Sequence, residues 1–287
     1  MSLKINEKAI LVTLNIGQYT GRKQDKKAER SVESNFNAHD AGTYHKATIA
    51  KDAIDKVSKA VSECRSYFYE NTLPWTDAKH RIGEGKRLRS MEGYFEFVAE
   101  LRKRQAIINQ EIETFLINYP DLIEEAKQRL NGLFNPKDYP PIDELREKFY
   151  FEVTFEPIPE MGDIRVNLQQ DELDRLNADL DNRNKEFLRE AMRDPFVRLS
   201  EVIKHAQERL SDPKAIFRDS LIDNIVSLLK ILPSLNITQD PTLDSLRKEV
   251  SEKLTKYSAD TLRDSETARQ ETAQNANDLL KKMEGLY

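Results

Sequence analysis

The stretch Tyr94–Tyr119, YFEFVAELRKRQAIINQEIETFLINY, decides the fold class. Tyr94, Val98, Leu101, Gln105, Ile108, Ile112, Phe115 and Tyr119 succeed one another by alternate steps of four and three residues. That spacing keeps one stripe of a helix turned towards a neighbour, the a/d seam of helices packed side by side. Gln105 interrupts the seam once. Pro120 is expected to end the helix, because a proline disfavours helical backbone in the residue before it. A short helix over Asp121–Leu130 follows and stops at Asn131-Gly132.

Towards the C-terminus the same pattern returns. Leu173, Leu176, Leu180 and Phe187 mark one face; Met192, Phe196, Leu199, Ile203, Ala206 and Leu210 then step by four and three. Asp194-Pro195 lies between the two runs and is expected to kink or divide them. Antiparallel pairing of the Tyr94–Tyr119 helix with the Leu173–Leu210 region is the natural way to cover both stripes. Pro213 is placed to open a helix through Phe217, Leu221, Ile225, Leu228 and Leu232, which Pro233 ends, and Pro241 starts another. After Ser258 few large apolar residues precede Leu279 and Leu280, which reads as a solvated helical or disordered tail that orders only against a partner copy.

Towards the N-terminus the period changes. Ile10, Val12, Leu14 and Ile16 alternate as in a half-buried strand. A charged loop, Gly21–Lys27, leads to a helix expected from Thr43, its cap, to Tyr69. Asn71–Asp77 breaks that helix, and the basic stretch up to Ser90 reads as the longest loop. Phe149, Phe151, Val153 and Phe155 alternate again, and Ile164–Leu168 follows a Pro/Gly-rich turn, a β-hairpin. A hairpin alone is marginal in water, so the N-terminal strand is its expected third member. The fold class is mainly α (α+β): long amphipathic, coiled-coil-like helices packed with a small sheet formed by an N-terminal strand and a central β-hairpin. Four consecutive blocks follow: 1–147, a strand with a basic helical region; 148–170, the hairpin; 171–258, a helical region; and 259–287, the polar tail.

With 38% hydrophobic and 33% charged residues and nine glycines, the composition fits paired helices with charged outer faces better than a compact enzyme. No run approaches the roughly 20 apolar residues of a membrane-spanning helix, and Met1–Lys8 lacks a signal-peptide core, so a cytoplasmic protein with no membrane partner is expected. The single cysteine, Cys64, excludes an internal disulfide and reads as a packing thiol. His39, His45, His80 and His205 show no metal-ligand spacing. Gly83-Glu84-Gly85-Lys86 fails as a phosphate loop, since His80 stands where the first glycine belongs and Arg87 where Ser or Thr belongs. No catalytic, cofactor or metal residues are therefore assigned, and a protein without enzymatic activity is expected.

Charge is unevenly spread: 20 Lys/Arg against 14 Asp/Glu over residues 1–110, and 25 against 36 over 111–287. Such asymmetry favours head-to-tail self-association or directs the basic part to an anionic partner. The basic groups are Arg22, Lys23, Lys26, Lys27 and Arg30; Lys79, Arg81, Lys86, Arg87 and Arg89; and Arg102–Arg104. With Tyr19 and Trp75 as stacking platforms, the first two groups supply the ingredients of a single-stranded nucleic-acid site. Interleaved acidic residues favour instead a solvated or oligomer-contact face.

The run Thr13–Lys23, a strand followed by Gly21-Arg22-Lys23, together with Asn71-Thr72-Leu73-Pro74-Trp75 and Asp77, resembles the start of an uncharacterised family from bacteriophages and integrating mobile elements. The resemblance covers mainly the first third of the chain. It implies a phage or mobile-element origin, a role in DNA transactions or complex assembly, and an AAA ATPase as a partner, since members are encoded near a MoxR-type AAA ATPase and a von Willebrand A protein. It supplies no catalytic residues. The reading of the sequence as a whole is a non-enzymatic helical assembly protein, a homo-oligomer or partner of another protein; the alternative is a protein that binds single-stranded DNA through its basic loops.

Overall fold

The computed structural model describes residues 5–76, 85–160, 162–163 and 169–287. It is 66% helical around a small antiparallel sheet, the mainly α class that the seams imply. In chain order the elements are α1 (Ile5–Lys8), β1 (Ala9–Gly17), β2 (Arg22–Gln24), α2 (Lys26–Phe36), β3 (His45–Ala47) and α3 (Asp52–Glu70). Then come β4 (Leu73–Pro74), β5 (Arg87–Ser90), α4 (Tyr94–Leu130), α5 (Ile142–Arg146) and β6 (Tyr150–Glu156). The chain closes with α6 (Gln170–Ser211), α7 (Ser220–Leu235), α8 (Pro241–Leu254), α9 (Ala259–Asp264) and α10 (Glu266–Met283).

The sheet has the order β4-β5-β1-β6, and β2 and β3 form a separate ribbon. The segment expected to be a basic loop after Asn71 therefore holds two strands. In register, Leu88 faces Leu73 on one side and Leu11 on the other, and all three are fully buried. That apolar row holds the strands together despite the arginines on either side of Leu88. β6 is the first strand of the expected hairpin; the second, Ile164–Leu168, lies outside the described residues.

Two compact units form, interleaved along the chain rather than consecutive as in the four expected blocks. The larger consists of Met1–Thr13, Tyr69–Phe95 and Thr154–Tyr287, the smaller of Leu14–Phe68 and Glu96–Val153. β1 and β6 each contribute residues to both.

In the larger unit, α6 to α10 share one core built on Leu199, Ile203, Ile225, Val250, Leu262 and Ala276. The tail after Ser258 is not solvated. α10 packs along α6, burying Ala268, Thr272, Ala276, Leu279 and Met283. Alanines at helical spacing let two helix backbones approach closely, so a seam poor in large apolar residues still closes. The partners of the α6 seam are thus α7 and α10, whereas most of α4 belongs to the smaller unit. A second cluster joins Leu11, Leu73, Trp75, Leu88, Ile158 and Phe187.

In the smaller unit, Ile54, Val57, Val61, Cys64 and Phe68 of α3 are buried, as are Phe97, Leu101, Ile108, Ile112, Phe115 and Tyr119 of α4. Phe97 stacks near Tyr67 and Phe68, with ring centroids 5.9 and 6.3 Å away. Burial raises the pKa of the Cys64 thiol, more than Arg104 and Arg65 lower it.

The expected helix from Thr43 begins instead at Asp52, because His45–Ala47 is spent in the ribbon. The prolines do not end their helices: α4 runs through Pro120, α6 through Pro195 and α7 through Pro233, and α7 opens at Ser220 rather than Pro213. An internal proline removes one N–H and crowds the carbonyl four residues back, a cost of about 3 kcal/mol. Burial of Tyr119 beside Pro120, and of Pro195 with Phe196, offsets it.

Candidate interaction surface

Residues 21–48 form an arm on the smaller unit. Gly21 opens it at φ 63°, and a Cβ there would stand 2.4 Å from Ile49 Cγ1, so this turn requires glycine. β2 and β3 pair with Arg22 opposite Ala47, Lys23 opposite Lys46 and Gln24 opposite His45. Between them, α2 is capped at both ends. The Asp25 carboxylate accepts from the backbone N–H groups of Lys27 and Ala28 at 3.0 and 3.1 Å, and Asn37, left-handed at φ 50°, donates its N–H to Glu33 and Ser34.

The root of the arm is a buried ion-pair knot. Lys46, 4% exposed, reaches Asp25 at 2.7 Å and Asp138 at 2.8 Å, and donates to the Leu133 carbonyl at 2.6 Å. Beside it, the Thr48 carbonyl accepts from Tyr139 Oη at 2.8 Å and from Arg129 at 3.3 Å. Burial pushes the Lys46 ammonium down, but the hydrogen bonds and charges of Asp138 and Asp25 leave its pKa raised overall. The Lys46 hydrogen bond, then the Ala28 N–H, hold the Asp25 carboxyl below its ordinary value.

A depressed carboxylate contributes stability above its unfolded pKa of about 4 and loses it as pH falls through the lower folded value. The α2 amides are therefore expected to lose exchange protection in that acid window, and Asp25→Asn to lack this transition. Protection unchanged from about pH 5 to about pH 2 would contradict it.

No residue of α2 is buried. Ala28, Val32 and Phe36 recur at i, i+4 and i+8 and so share one stripe, and Phe36 is 78% exposed. By helical spacing Lys26, Lys27 and Arg30 stand about 120°, 140° and 160° round the helix from Val32, the middle of the stripe. Arg22, Lys23, Lys26, Lys27 and Arg30 are all exposed, and none makes an ion pair among the described residues. Of the arm's carboxylates, Asp25 pairs with Lys46 and caps the helix, and Glu29 accepts from Gln24 Nε2 at 2.9 Å and from the Tyr44 N–H at 3.0 Å. Residues 21–48 hold six Lys/Arg against four Asp/Glu, an excess of two positive charges.

Of the other expected site residues, Tyr19 stands at the root of the arm and the rest lie elsewhere. Tyr19 is half-buried, its hydroxyl 3.0 Å from Thr48 Oγ1. Trp75, 3% exposed, packs edge-on against Phe187 in the larger unit's core, so it offers no stacking platform. Lys86 pairs with Glu156. Arg87 donates to Thr72 Oγ1 at 2.6 Å and the Thr72 carbonyl at 2.8 Å, and lies over the Tyr69 ring. Burial, then the nearby Arg198, lowers its pKa to about 10, so it remains charged at neutral pH.

Arg89, 3% exposed, donates to the carbonyls of Asn71, Glu92 and Gly93. Arg198 donates to those of Glu70 and Thr72. Three guanidiniums thus converge on the C-terminal end of α3, where carbonyls lack helical partners and the helix dipole favours cations. Arg81 lies outside the described residues.

The structure therefore groups Arg22, Lys23, Lys26 and Lys27 and assigns Arg87 and Arg89 to a helix cap. Sequence reading missed Phe36 and Tyr44, the exposed aromatics of the arm. The i, i+4 recurrence of Ala28, Val32 and Phe36 was the available signal. Among the described residues no cluster of His, Cys, Asp and Glu forms a metal site, and no helix is long and apolar enough to cross a membrane. No family model, curated protein or solved structure matches the chain.

Proposed function

We propose that this is a non-enzymatic interaction protein that docks a macromolecular partner through the arm of residues 21–48. One observation carries the reading: α2 is folded and capped at both ends yet buries none of its residues, leaving an apolar stripe and three unpaired cations in water. Isolated helices of this length are marginal, so a helix maintained without packing of its own is best explained by a surface it meets. The phage or mobile-element resemblance agrees with a role in complex assembly, for which an AAA ATPase is a further proposed partner. The exposed cations without ion pairs favour a second reading, in which the partner is single-stranded nucleic acid.

A photo-crosslinking residue in place of Phe36, in cells producing the chain, tests the proposal. Position 36 is expected to give discrete adducts that the 90%-exposed Ile216 position does not. A nuclease-sensitive adduct would select the second reading. The same pattern from both positions, or none from position 36, overturns both.

A further inference from the structure

The smaller unit carries a groove that matches the arm. It lies between α3 and α4, has a volume of about 320 Å³, and its apolar lining is Ala53, Val57, Phe115 and Leu122, of which Val57 and Phe115 are only 1% and 3% exposed. Asp52, Glu111, Asp121 and Glu125 line it against a single lysine, Lys56. An amphipathic helix fits such a groove by turning its apolar stripe to the apolar lining and reaching the carboxylates with its long cationic side chains. α2 offers the exposed Phe36 and Val32 as anchors and, in its first turn, the long side chains of Lys26 and Lys27 as cations.

We infer that the partner of the arm is a second copy of this chain, with α2 of one copy occupying the α3/α4 groove of the next. This rests on the proposal that the arm is an interaction surface, and adds its occupant. Charge complementarity argues for the second copy: one chain holds both an arm with exposed cations and a groove lined by four carboxylates against one lysine. The contact is heterologous, because the two patches differ, so each bound copy presents a further arm and a further groove.

Sedimentation velocity of the full chain at low salt, from about 1 to 100 µM, is expected to show mass rising with concentration. Lys26→Glu with Lys27→Glu reverses the arm; Asp121→Lys with Glu125→Lys reverses the groove. Each variant alone is expected to associate about tenfold more weakly or worse. Glutamates in the first turn of α2 favour the helix dipole, so loss of association cannot be ascribed to loss of α2; unchanged far-UV dichroism checks the groove variant.

The deciding step is to mix the two variants. The acidic arm of one then fits the basic groove of the other, and association is expected to return in a one-to-one mixture. A monomer throughout the range, or association indifferent to either reversal, overturns the inference. So does loss with the arm variant while the groove variant still associates, or failure of the mixture. Adducts at position 36 to a different protein would leave the arm's role standing while removing the second copy as its partner.

Discussion

Lys46→Met is expected to destabilise the smaller unit by about 3–5 kcal/mol, the cost of leaving buried charges without their counter-ion. The ammonium is held by Asp25 at 2.7 Å, Asp138 at 2.8 Å and the Leu133 carbonyl at 2.6 Å, and the Asp25 and Asp138 side chains are 8% and 10% exposed. Removing it leaves two carboxylates facing one another in a site with little water. Urea denaturation followed by far-UV dichroism should show a lower midpoint, and exchange of the α2 amides should rise towards the unprotected rate. Adding Asp25→Asn and Asp138→Asn to Lys46→Met should recover a large part of the loss, because the unpaired charges are then gone. A Lys46→Met variant with the wild-type midpoint would show that the knot does not fasten the arm.

Leu279→Ala is expected to cost about 2–5 kcal/mol in the larger unit. Leu279 is 1% exposed in the core shared by α6 and α10. On a solvated helix the same change would be neutral or slightly stabilising, since alanine is the better helix former. The sign and size together therefore separate a packed tail from a solvated one. Trp75 is the only tryptophan and lies in the larger unit's core, so its emission reports that unit. The fluorescence midpoint in urea should fall with Leu279→Ala; an unchanged midpoint would return the tail to solvent.

Much of the architecture was legible because apolar periodicity records which face each helix buries. The strand before Gly17, the helix from Tyr94 and the long C-terminal helices all follow from it. The errors share a cause: proline and charge were read locally. Pro120, Pro195 and Pro233 are tolerated because packing on both sides outweighs a lost hydrogen bond, a comparison local sequence does not contain. The α10 seam escaped notice because alanine contributes little hydrophobic area while permitting close approach. α2 was hidden inside a run of charges, where Asp25 as a cap and the Ala28–Val32–Phe36 spacing were its only marks. For the candidate surface, the cluster Arg22–Lys27 stood out as charge, but Arg87 and Arg89 looked equivalent to it. Nothing in a count of cations distinguishes a guanidinium that caps a helix from one that faces solvent.

The three arginines at the end of α3 give the chain two kinds of positive charge with different responses to electrolyte. Arg87, Arg89 and Arg198 donate to carbonyls at short range in partly or wholly buried positions, where mobile ions screen little. The arm's cations stand in solvent, where the screening length contracts to about 3 Å at 1 M salt. Raising the ionic strength should therefore silence the arm while leaving the helix cap and the fold intact, so that the proposed binding can be switched off by the buffer without touching a residue.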